Sequence, residues 1–291
     1  MRVIVGFPAG GGLDFVTRVI AQWLSERLGE AFVVENRGGA AGNIATEMVV
    51  RAPADGYTLL VAVPGNAINA TFYTHLNFNF LTDIAPVASM VRSPLIMVVN
   101  PAFPAKSLPE FIAYAKAHPG KLNYGSPGTG SSLHLATELF KIMAGIDITH
   151  VPYKGVAPAL TDLLSGQVQM MLADLSSLEY VKAGKLRALA VTEAKRSAFL
   201  PDVPTVAEFV PGYEASTWYG IGAPRKTPAQ IVDLLNRAVN AGLADPTVQS
   251  RLETIGYTPF PNSPSQFGKY IAAETEKWAK VIRMANIKPP Q

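Results

Sequence analysis

Residues 3–14, Val-Ile-Val-Gly-Phe-Pro-Ala-Gly-Gly-Gly-Leu-Asp, predict a strand that ends in a glycine-rich loop and leads directly into a helix. Apolar side chains then recur with the helical period, at Val16, Val19, Ile20, Trp23, Leu24 and Leu28. The first turn of a helix has unpaired N–H groups and a partial positive charge, so this junction favours a small anion. Glycine-rich turns of this kind also occur for packing reasons alone, and the loop by itself leaves both interpretations open.

The same design recurs further along the chain. A short strand at residues 32–36 precedes a small-residue loop at 37–43, and a buried strand at 58–63 ends at Pro64-Gly65-Asn66. A strand at residues 122–125 opens the loop 126–132, which leads into another amphipathic helix. This alternation predicts an α/β fold with parallel sheets, in which ligands sit beyond the carboxyl ends of the strands.

The recurrence near residues 10 and 127 predicts two similar α/β lobes. The breaks that we select are Asn100-Pro101 and Ala223-Pro224. Residues 1–99 and 224–291 then form one lobe, and residues 100–223 form the other. Two extended crossovers would join the lobes and act as a hinge, with a ligand cleft between them.

Composition excludes several classes of function. The 291 residues are 48% hydrophobic and 16% charged, with a net charge of +3, which indicates a globular chain with a well-filled core. The sequence contains no run of five or more Lys or Arg residues, so it indicates neither a nucleic-acid partner nor a membrane-surface patch. No cysteine is present, which excludes disulfides, cysteine zinc sites and thiol catalysis. We expect no metal and no cofactor, because no histidine pair has metal-ligand spacing.

Motifs of common enzymes are also missing. A dinucleotide-binding G-x-G-x-x-G would need glycine where Phe15 stands, and no G-x-x-x-x-G-K-[ST] occurs. The nucleophile elbow G-x-S-x-G is absent, because His134 stands where its last glycine would fall after Gly130-Ser131-Ser132-Leu133. The main alternative that remains is an enzyme that binds a phosphate-bearing substrate through the glycine-rich loops.

Taken together, these stretches resemble the solute receptors of tripartite tricarboxylate transporters, the TctC or Bug-type binding proteins. The resemblance covers essentially the whole chain. It rests on residues 6–14 (Gly-Phe-Pro-Ala-Gly-Gly-Gly-Leu-Asp), 34–37 (Val-Glu-Asn-Arg), 55–60 (Asp-Gly-Tyr-Thr-Leu-Leu), 124–126 (Tyr-Gly-Ser), 128–131 (Gly-Thr-Gly-Ser), 134–135 (His-Leu), 150–155 (His-Val-Pro-Tyr-Lys-Gly), 201–205 (Pro-Asp-Val-Pro-Thr) and 218–220 (Trp-Tyr-Gly). Ala41 and Ala45 stand where we expect glycine in this family.

The resemblance implies a periplasmic-binding-protein fold of type II, with two crossovers, and a receptor without catalysis. The ligand would be a small organic carboxylate: a di- or tricarboxylate, an acidic amino acid or an aromatic acid. The implied partners are the membrane components of the transporter, and a membrane signalling protein that senses the ligand is an alternative. We expect a monomer in the periplasm. No leader precedes the first strand, so we expect that one has been removed.

The resemblance also implies that the carboxylate is held, partly through ordered water, by the loops near residues 9–14 and 126–131. The candidate ligand-binding residues are Phe7, Ala9, Gly10, Gly11, Gly12, Asp14, Gly65, Asn66, Ser126, Thr129, Gly130, Ser131 and Asp174. Backbone N–H groups and hydroxyls would bind the ligand, since no obvious arginine clamp lies among these loops. The structural alternatives are tight turns for the loop glycines, a plain turn for Gly65 and Asn66, loop or capping roles for the hydroxyls, and a first-turn position favoured by the helix dipole for Asp14.

Overall fold

The computed structural model describes residues 1–289, and the chain divides into two compact units. Unit 1 comprises Met1–Arg92 and Trp218–Lys280, and unit 2 comprises Ser93–Thr217 and Val281–Gln291. The chain passes from one unit to the other at Arg92/Ser93, Thr217/Trp218 and Lys280/Val281. Each unit is described by itself below.

Both units are built from strands and helices in alternation. In the described part of the chain the strands are β1 (Arg2–Val5), β2 (Val33–Asn36), β3 (Thr58–Ala62), β4 (Ile84–Pro94), β5 (Ile96–Val99), β6 (Asn123–Ser126), β7 (Thr149–Pro152), β8 (Met170–Ala173), β9 (Arg187–Val191), β10 (Ser216–Pro224) and β11 (Thr258–Pro259). The helices are α1 (Gly12–Leu28), α2 (Asn43–Val50), α3 (Pro64–Phe72), α4 (Phe80–Asp83), α5 (Leu108–Ala117), α6 (Ser132–Ala144), α7 (Val156–Leu164), α8 (Leu178–Lys182), α9 (Ala229–Ala244), α10 (Pro246–Thr254) and α11 (Pro264–Met284).

The sheet of unit 1 has the strand order β11-β4-β10-β3-β1-β2. Strand β1 pairs in parallel with both β2 and β3, so the carboxyl ends of all three strands lie at one edge. The predicted parallel arrangement of these strands is confirmed. A helix begins shortly after each strand: α1 after β1, α2 after β2 and α3 after β3. The N-termini of α1, α2 and α3 therefore lie at the same edge of the sheet, where the three parallel strands end.

Helix α1 covers this sheet with the apolar face that its sequence predicts. Val16, Val19, Ile20 and Leu24 are buried, together with Val3–Val5 of β1. Trp23 is half-buried, and its indole N–H donates to the carbonyl of Ala238 in α9 at 2.9 Å. Gly242 of α9 leaves room for this ring, because a Cβ there would lie 2.6 Å from Cδ1 of Trp23. Helix α1 thus packs closely against α9 through Trp23.

The sheet of unit 2 has the strand order β7-β6-β8-β5-β9. Strand β6 pairs in parallel with β7 and β8, whereas β5 runs antiparallel to β8 and β9. Helix α6 follows β6 and buries Leu135, Ala136 and Phe140. Unit 2 thus repeats the strand, loop and helix design of unit 1.

The limits of the units differ from the breaks selected in the sequence. Those breaks, after residues 99 and 223, stand at prolines, but the chain changes unit inside β4 and β10, before each proline is reached. Strand β5, which the sequence prediction assigned to the first lobe, pairs with the sheet of unit 2. The end of α11 also belongs to unit 2. The boundaries at residues 92/93 and 217/218 fall inside continuous strands. No loop marks them, so the sequence does not reveal where they lie.

Candidate functional site

The first glycine-rich loop, residues 6–11 (loop 1), connects β1 to α1 and exposes its backbone at residues 9–11. Gly11 is the N-cap of α1, and no side chain caps the helix there. The first helical hydrogen bond runs from Phe15 N–H to the Gly11 carbonyl at 3.0 Å. The N–H groups of residues 12–14 therefore have no acceptor within the helix. A Cβ added at Gly10 or Gly11 would meet nothing within 4 Å. The predicted anion-binding junction is thus open on the side of the loop glycines.

Asp14, a predicted ligand contact, instead ties loop 1 together. Its side chain is buried, and Oδ2 accepts hydrogen bonds from Gly10 N–H at 3.1 Å and from Arg18 Nε at 2.9 Å. Its Oδ1 accepts from Asn36 Nδ2 at 3.1 Å. The hydrogen bond from Arg18 is the main cause that holds the pKa of Asp14 below its usual value, and burial opposes it. Asp14 therefore stays ionised, and its charge is matched by Arg18.

We expect Asp14→Asn to lower the free energy of unfolding by about 1–2 kcal/mol, since an amide cannot accept all three hydrogen bonds. Urea denaturation followed by tryptophan fluorescence measures this, because Trp23, Trp218 and Trp278 all lie in unit 1. Asp233→Asn, at an exposed position of α9, is the control. Equal stability of the two variants would show that the Asp14 contacts do not hold the loop.

Two aromatic residues that sequence reasoning missed lie against the start of α1. A Cβ added at Gly12 would come 2.7 Å from the hydroxyl oxygen of Tyr257. The hydroxyls of Tyr257 and Tyr219 are hydrogen-bonded to each other at 2.9 Å. Gly12 is therefore required for this close approach. No local pattern links residue 12 to residue 257, so only the fold shows the contact.

The neighbouring loops of unit 1 touch loop 1 closely. A Cβ at Gly6 would lie 2.8 Å from Cα of Gly42, and one at Gly42 would lie 3.5 Å from the ring of Phe7. Phe7 is half-buried, and its carbonyl accepts from Asn36 Nδ2 at 3.1 Å. Ala41, where the family pattern favours glycine, has a left-handed backbone with φ of 53°. The glycine preference at that position thus has a conformational cause.

Gly65 and Asn66 were predicted in a loop, but they lie in the first turn of α3. Asn66 is buried: its Oδ1 accepts from Val63 N–H at 2.8 Å, and its Nδ2 donates to Thr46 Oγ1 at 2.9 Å. Its amide thus caps the helix and anchors it to α2. Gly65 is half-buried, and a Cβ there would lie 3.8 Å from the Ala41 carbonyl oxygen. Gly65 therefore presents only backbone atoms at the sheet edge, whereas the side chain of Asn66 is hydrogen-bonded within unit 1.

In unit 2, the loop at residues 127–131 (loop 2) leads from β6 to α6, and residues 127–132 are half-buried. Ser131 is the N-cap of α6, and its hydroxyl oxygen accepts from His134 N–H at 3.2 Å. Gly130 N–H donates to His134 Nδ1 at 3.1 Å. Within residues 1–289 no acceptor is found for the Thr129 hydroxyl, which is therefore available to a ligand.

The other two predicted residues of unit 2 are engaged within it. Ser126 is fully buried, and its Oγ accepts from Gly128 N–H at 3.2 Å and lies 2.6 Å from Nε2 of His150. Asp174 follows β8, and its Oδ1 accepts from the N–H of Ser176 at 3.1 Å and from its hydroxyl at 2.5 Å. Strands β6 and β8 are parallel neighbours, so loop 2 and Asp174 share one edge of this sheet.

The arginines nearest to loop 1 are already paired. Arg18 is matched by Asp14, and Arg37 donates to Glu35 Oε2 at 2.9 Å. Hydrogen bonds from Arg2 and then Arg37 lower the pKa of Glu35 to about 2. No group of three or more metal-ligating side chains is found within residues 1–289. Loops 1 and 2 therefore offer backbone N–H groups and hydroxyls to a ligand, and the absence of an arginine clamp stays a prediction.

Comparison with known proteins identifies the family. The family model described as the tripartite tricarboxylate transporter family receptor, TctC, matches residues 16–287. Protein BugT of Bordetella pertussis is 38% identical over 292 residues, which cover 99% of this chain and 90% of BugT.

Two solved structures are also similar over nearly their whole length. Rpa4515 of R. palustris, solved with adipate, is 42% identical, with a TM-score of 0.87, and the match covers 100% of this chain and 98% of that one. MatC from Rhodopseudomonas palustris, solved with bound malate, is 33% identical, with a TM-score of 0.82 and coverage of 97% and 98%. None of the helices described for this chain is long and apolar enough to span a bilayer. The chain belongs to the TctC family of tripartite tricarboxylate transporter receptors.

Proposed function

We propose that this receptor binds a small organic dicarboxylate and delivers it to the membrane components of a tripartite tricarboxylate transporter. The observation that carries the ligand class is loop 1, where exposed glycines leave the N–H groups at the start of α1 open. The relatives solved with adipate and malate support the same class. The enzyme alternative is not favoured, because the family is one of substrate receptors.

A carboxylate suits these loops for electrostatic reasons. The N-terminal end of α1 carries a partial positive charge, and its N–H groups form charge-assisted hydrogen bonds with an anion. We assign the direct contacts to the backbone of Ala9, Gly11 and Gly12 in unit 1, and to Thr129 and Ser131 in unit 2. Asp14, Asn66 and Ser126 hold the loops in shape through the contacts already described. Phe7, Gly10, Gly65, Gly130 and Asp174 line the same sheet edges in this proposal.

The proposal extends to location and assembly. We infer a monomer that acts in the periplasm after export, without turnover of its ligand. Its two lobes would have the limits of units 1 and 2, moved from the breaks selected in the sequence. The alternative role is to present the bound ligand to a membrane signalling protein, and it would use the same ligand site. Cell fractionation tests the periplasmic location, and light scattering tests whether the protein is a monomer.

The proposed function is tested with a dicarboxylate panel of adipate, malate and homologous dicarboxylates, in thermal-shift assays followed by calorimetry. A ligand at 100 times its Kd stabilises the folded state by about 2.7 kcal/mol, which raises the Tm of a chain of this size by roughly 5 °C or more. We expect such a rise with at least one dicarboxylate. Monocarboxylates, nucleotides and sugar phosphates are the controls. A silent dicarboxylate panel, with a rise from nucleotides or sugar phosphates, would favour the enzyme alternative.

A further inference from the structure

Next to loop 2 lies a stacked histidine pair, of which His134 is buried and His150 is half-buried. His134 of α6 and His150 of β7 are stacked, with ring centroids 3.9 Å apart and an angle of 14° between the ring planes. The ring of Tyr124 in β6 stacks on His150 at 5.0 Å. His134 is only 3% exposed. The two rings thus lie largely inside unit 2, beside the loop that we assign to the ligand.

Each histidine contacts loop 2 or the residue that leads into it. His134 Nδ1 accepts the N–H of Gly130 at 3.1 Å, so its ring proton resides on Nε2. His150 Nε2 lies 2.6 Å from Oγ of Ser126, which also accepts the N–H of Gly128 at 3.2 Å. The N–H of Gly130 is thus bonded to His134, and the N–H of Gly128 is bonded to Ser126, which in turn contacts His150. Within the described residues, the donors that remain for a ligand include the hydroxyls of Thr129 and Ser131 and the N–H groups at the start of α6.

The charged groups that face the pair are Glu138 and Lys141, both on α6, and β6 adds the neutral hydroxyl of Tyr124. Glu138 Oε1 accepts from the Tyr124 hydroxyl at 2.5 Å and from Lys141 Nζ at 2.8 Å, and it lies 4.0 Å from His134 Nε2. Burial, aided by the charges of His150 and Lys141, lowers the pKa of His134 to about 3. Burial also lowers the pKa of His150 to about 4, where Glu138 opposes the shift and Lys141 adds to it. Both rings are therefore neutral near pH 7.

We propose that His134 and His150 are positioning residues for ligand binding: as a neutral stacked pair, they fix the shape of loop 2 through Gly130 N–H and Ser126 Oγ. A protonated His134 could not accept from Gly130, because both of its ring nitrogens would then be donors. The pair therefore keeps loop 2 in the form that directs Thr129 and the start of α6 toward a carboxylate. This inference rests on the proposed function, because loop 2 is assigned to the ligand there.

The first test needs no ligand. In protein with 15N-labelled histidine, we expect the imidazole spectrum of His134 to show a neutral ring with its proton on Nε2 from pH 7 down to pH 5. The spectrum of His134→Asn provides the assignment. A proton on Nδ1, or a charged ring at pH 7, would overturn the inference whatever the protein binds.

The second test separates positioning from packing. Asn at residue 134 can place an acceptor near the position of Nδ1, whereas Gln fills more of the ring volume but places its amide near the position of Nε2. We expect His134→Gln to lose about tenfold more affinity than His134→Asn for the best ligand of the dicarboxylate panel, which is the effect of one hydrogen bond. A merely structural role predicts the reverse order, with affinity following side-chain volume and Tm.

The two failures are distinguishable. If the wild-type protein binds no dicarboxylate, the proposed function fails, and the imidazole spectrum still decides whether the pair holds loop 2. If the wild type binds but the Asn and Gln variants lose affinity only in proportion to their loss of Tm, the positioning role is overturned. Calorimetry at pH 7 and thermal denaturation of the same samples supply both readouts.

Discussion

The variant Gly11→Val is expected to lose at least about a hundredfold in affinity for the best ligand of the dicarboxylate panel, with its fold retained. A branched side chain at the N-cap would cover the N–H groups that open α1, and each hydrogen bond to a charged ligand contributes about 1.5–3 kcal/mol. The backbone tolerates the change, because Gly11 has φ of −88° and a Cβ there meets nothing within 4 Å. Calorimetry measures the affinity, and circular dichroism checks the fold.

Gly11→Ala is the matched control. Alanine and valine are both poor N-caps compared with glycine, so both variants should lose a similar amount of stability, about 1 kcal/mol or less. Alanine adds only one methyl group, and we expect it to lose much less affinity than valine. If valine binds the ligand as tightly as alanine does, the backbone at Gly11 does not contact the ligand, and the loop glycines have only a structural role.

Much of the fold could be predicted from local pattern. The strand, glycine loop and helix at residues 3–28 are confirmed because the period of apolar residues changes from strand to helix across the glycines. The sequence offers Ser131 or Ser132 as the N-cap of α6, and the structure selects Ser131; a serine cap is predictable because capping chemistry is local to a few residues. The family was also identified correctly, because many short motifs follow one another in family order.

The interior of the site could not be predicted in the same way. Asp14 was interpreted as a ligand contact or a helix-dipole residue, yet its partners include Asn36, which reaches it only because β2 pairs with β1. Tyr257 meets Gly12 across 245 residues of sequence. His134 and His150 stand in two separate family motifs, at residues 134–135 and 150–155, and they meet because β6 and β7 pair in parallel beside α6. Long-range contacts of this kind leave no spacing that a single sequence reveals.

The stacked histidine pair leads to a second large effect, a loss of stability in mild acid. Both pKa values are lower in the folded protein than the ordinary value of 6.5, at about 3 for His134 and about 4 for His150. The unfolded chain therefore binds more protons than the folded one below pH 6.5. The contribution of the two neutral histidines to the free energy of unfolding is complete above pH 6.5 and falls as the pH drops toward 4. The loss is about 1.4 kcal/mol per pH unit for each histidine, on the order of 5 kcal/mol by pH 4.5.

Hydrogen exchange of the intact chain, measured from pH 7 to pH 4.5 and corrected for intrinsic rates, resolves this loss by region. We expect protection to fall most steeply in peptides from β6 and α6, while peptides from α9 in unit 1 serve as the internal reference. Carboxylates with lowered pKa values, such as Glu35, keep their stabilising contribution above their unfolded pKa of 4.5 and lose it mainly below that pH, so the histidines dominate the change between pH 7 and pH 4.5.

The double variant His134→Asn with His150→Phe removes both titrating rings and keeps an acceptor for Gly130 and an aromatic ring to stack on Tyr124. We expect it to be less stable than the wild type at pH 7, because it leaves a cavity and removes the ring partner of Ser126. Its protection in β6 and α6 should nevertheless stay nearly constant between pH 6.5 and pH 4.5. If wild type and variant lose protection with equal slopes, the two histidines titrate alike in the folded and unfolded chain, and burial of neutral rings does not stabilise unit 2.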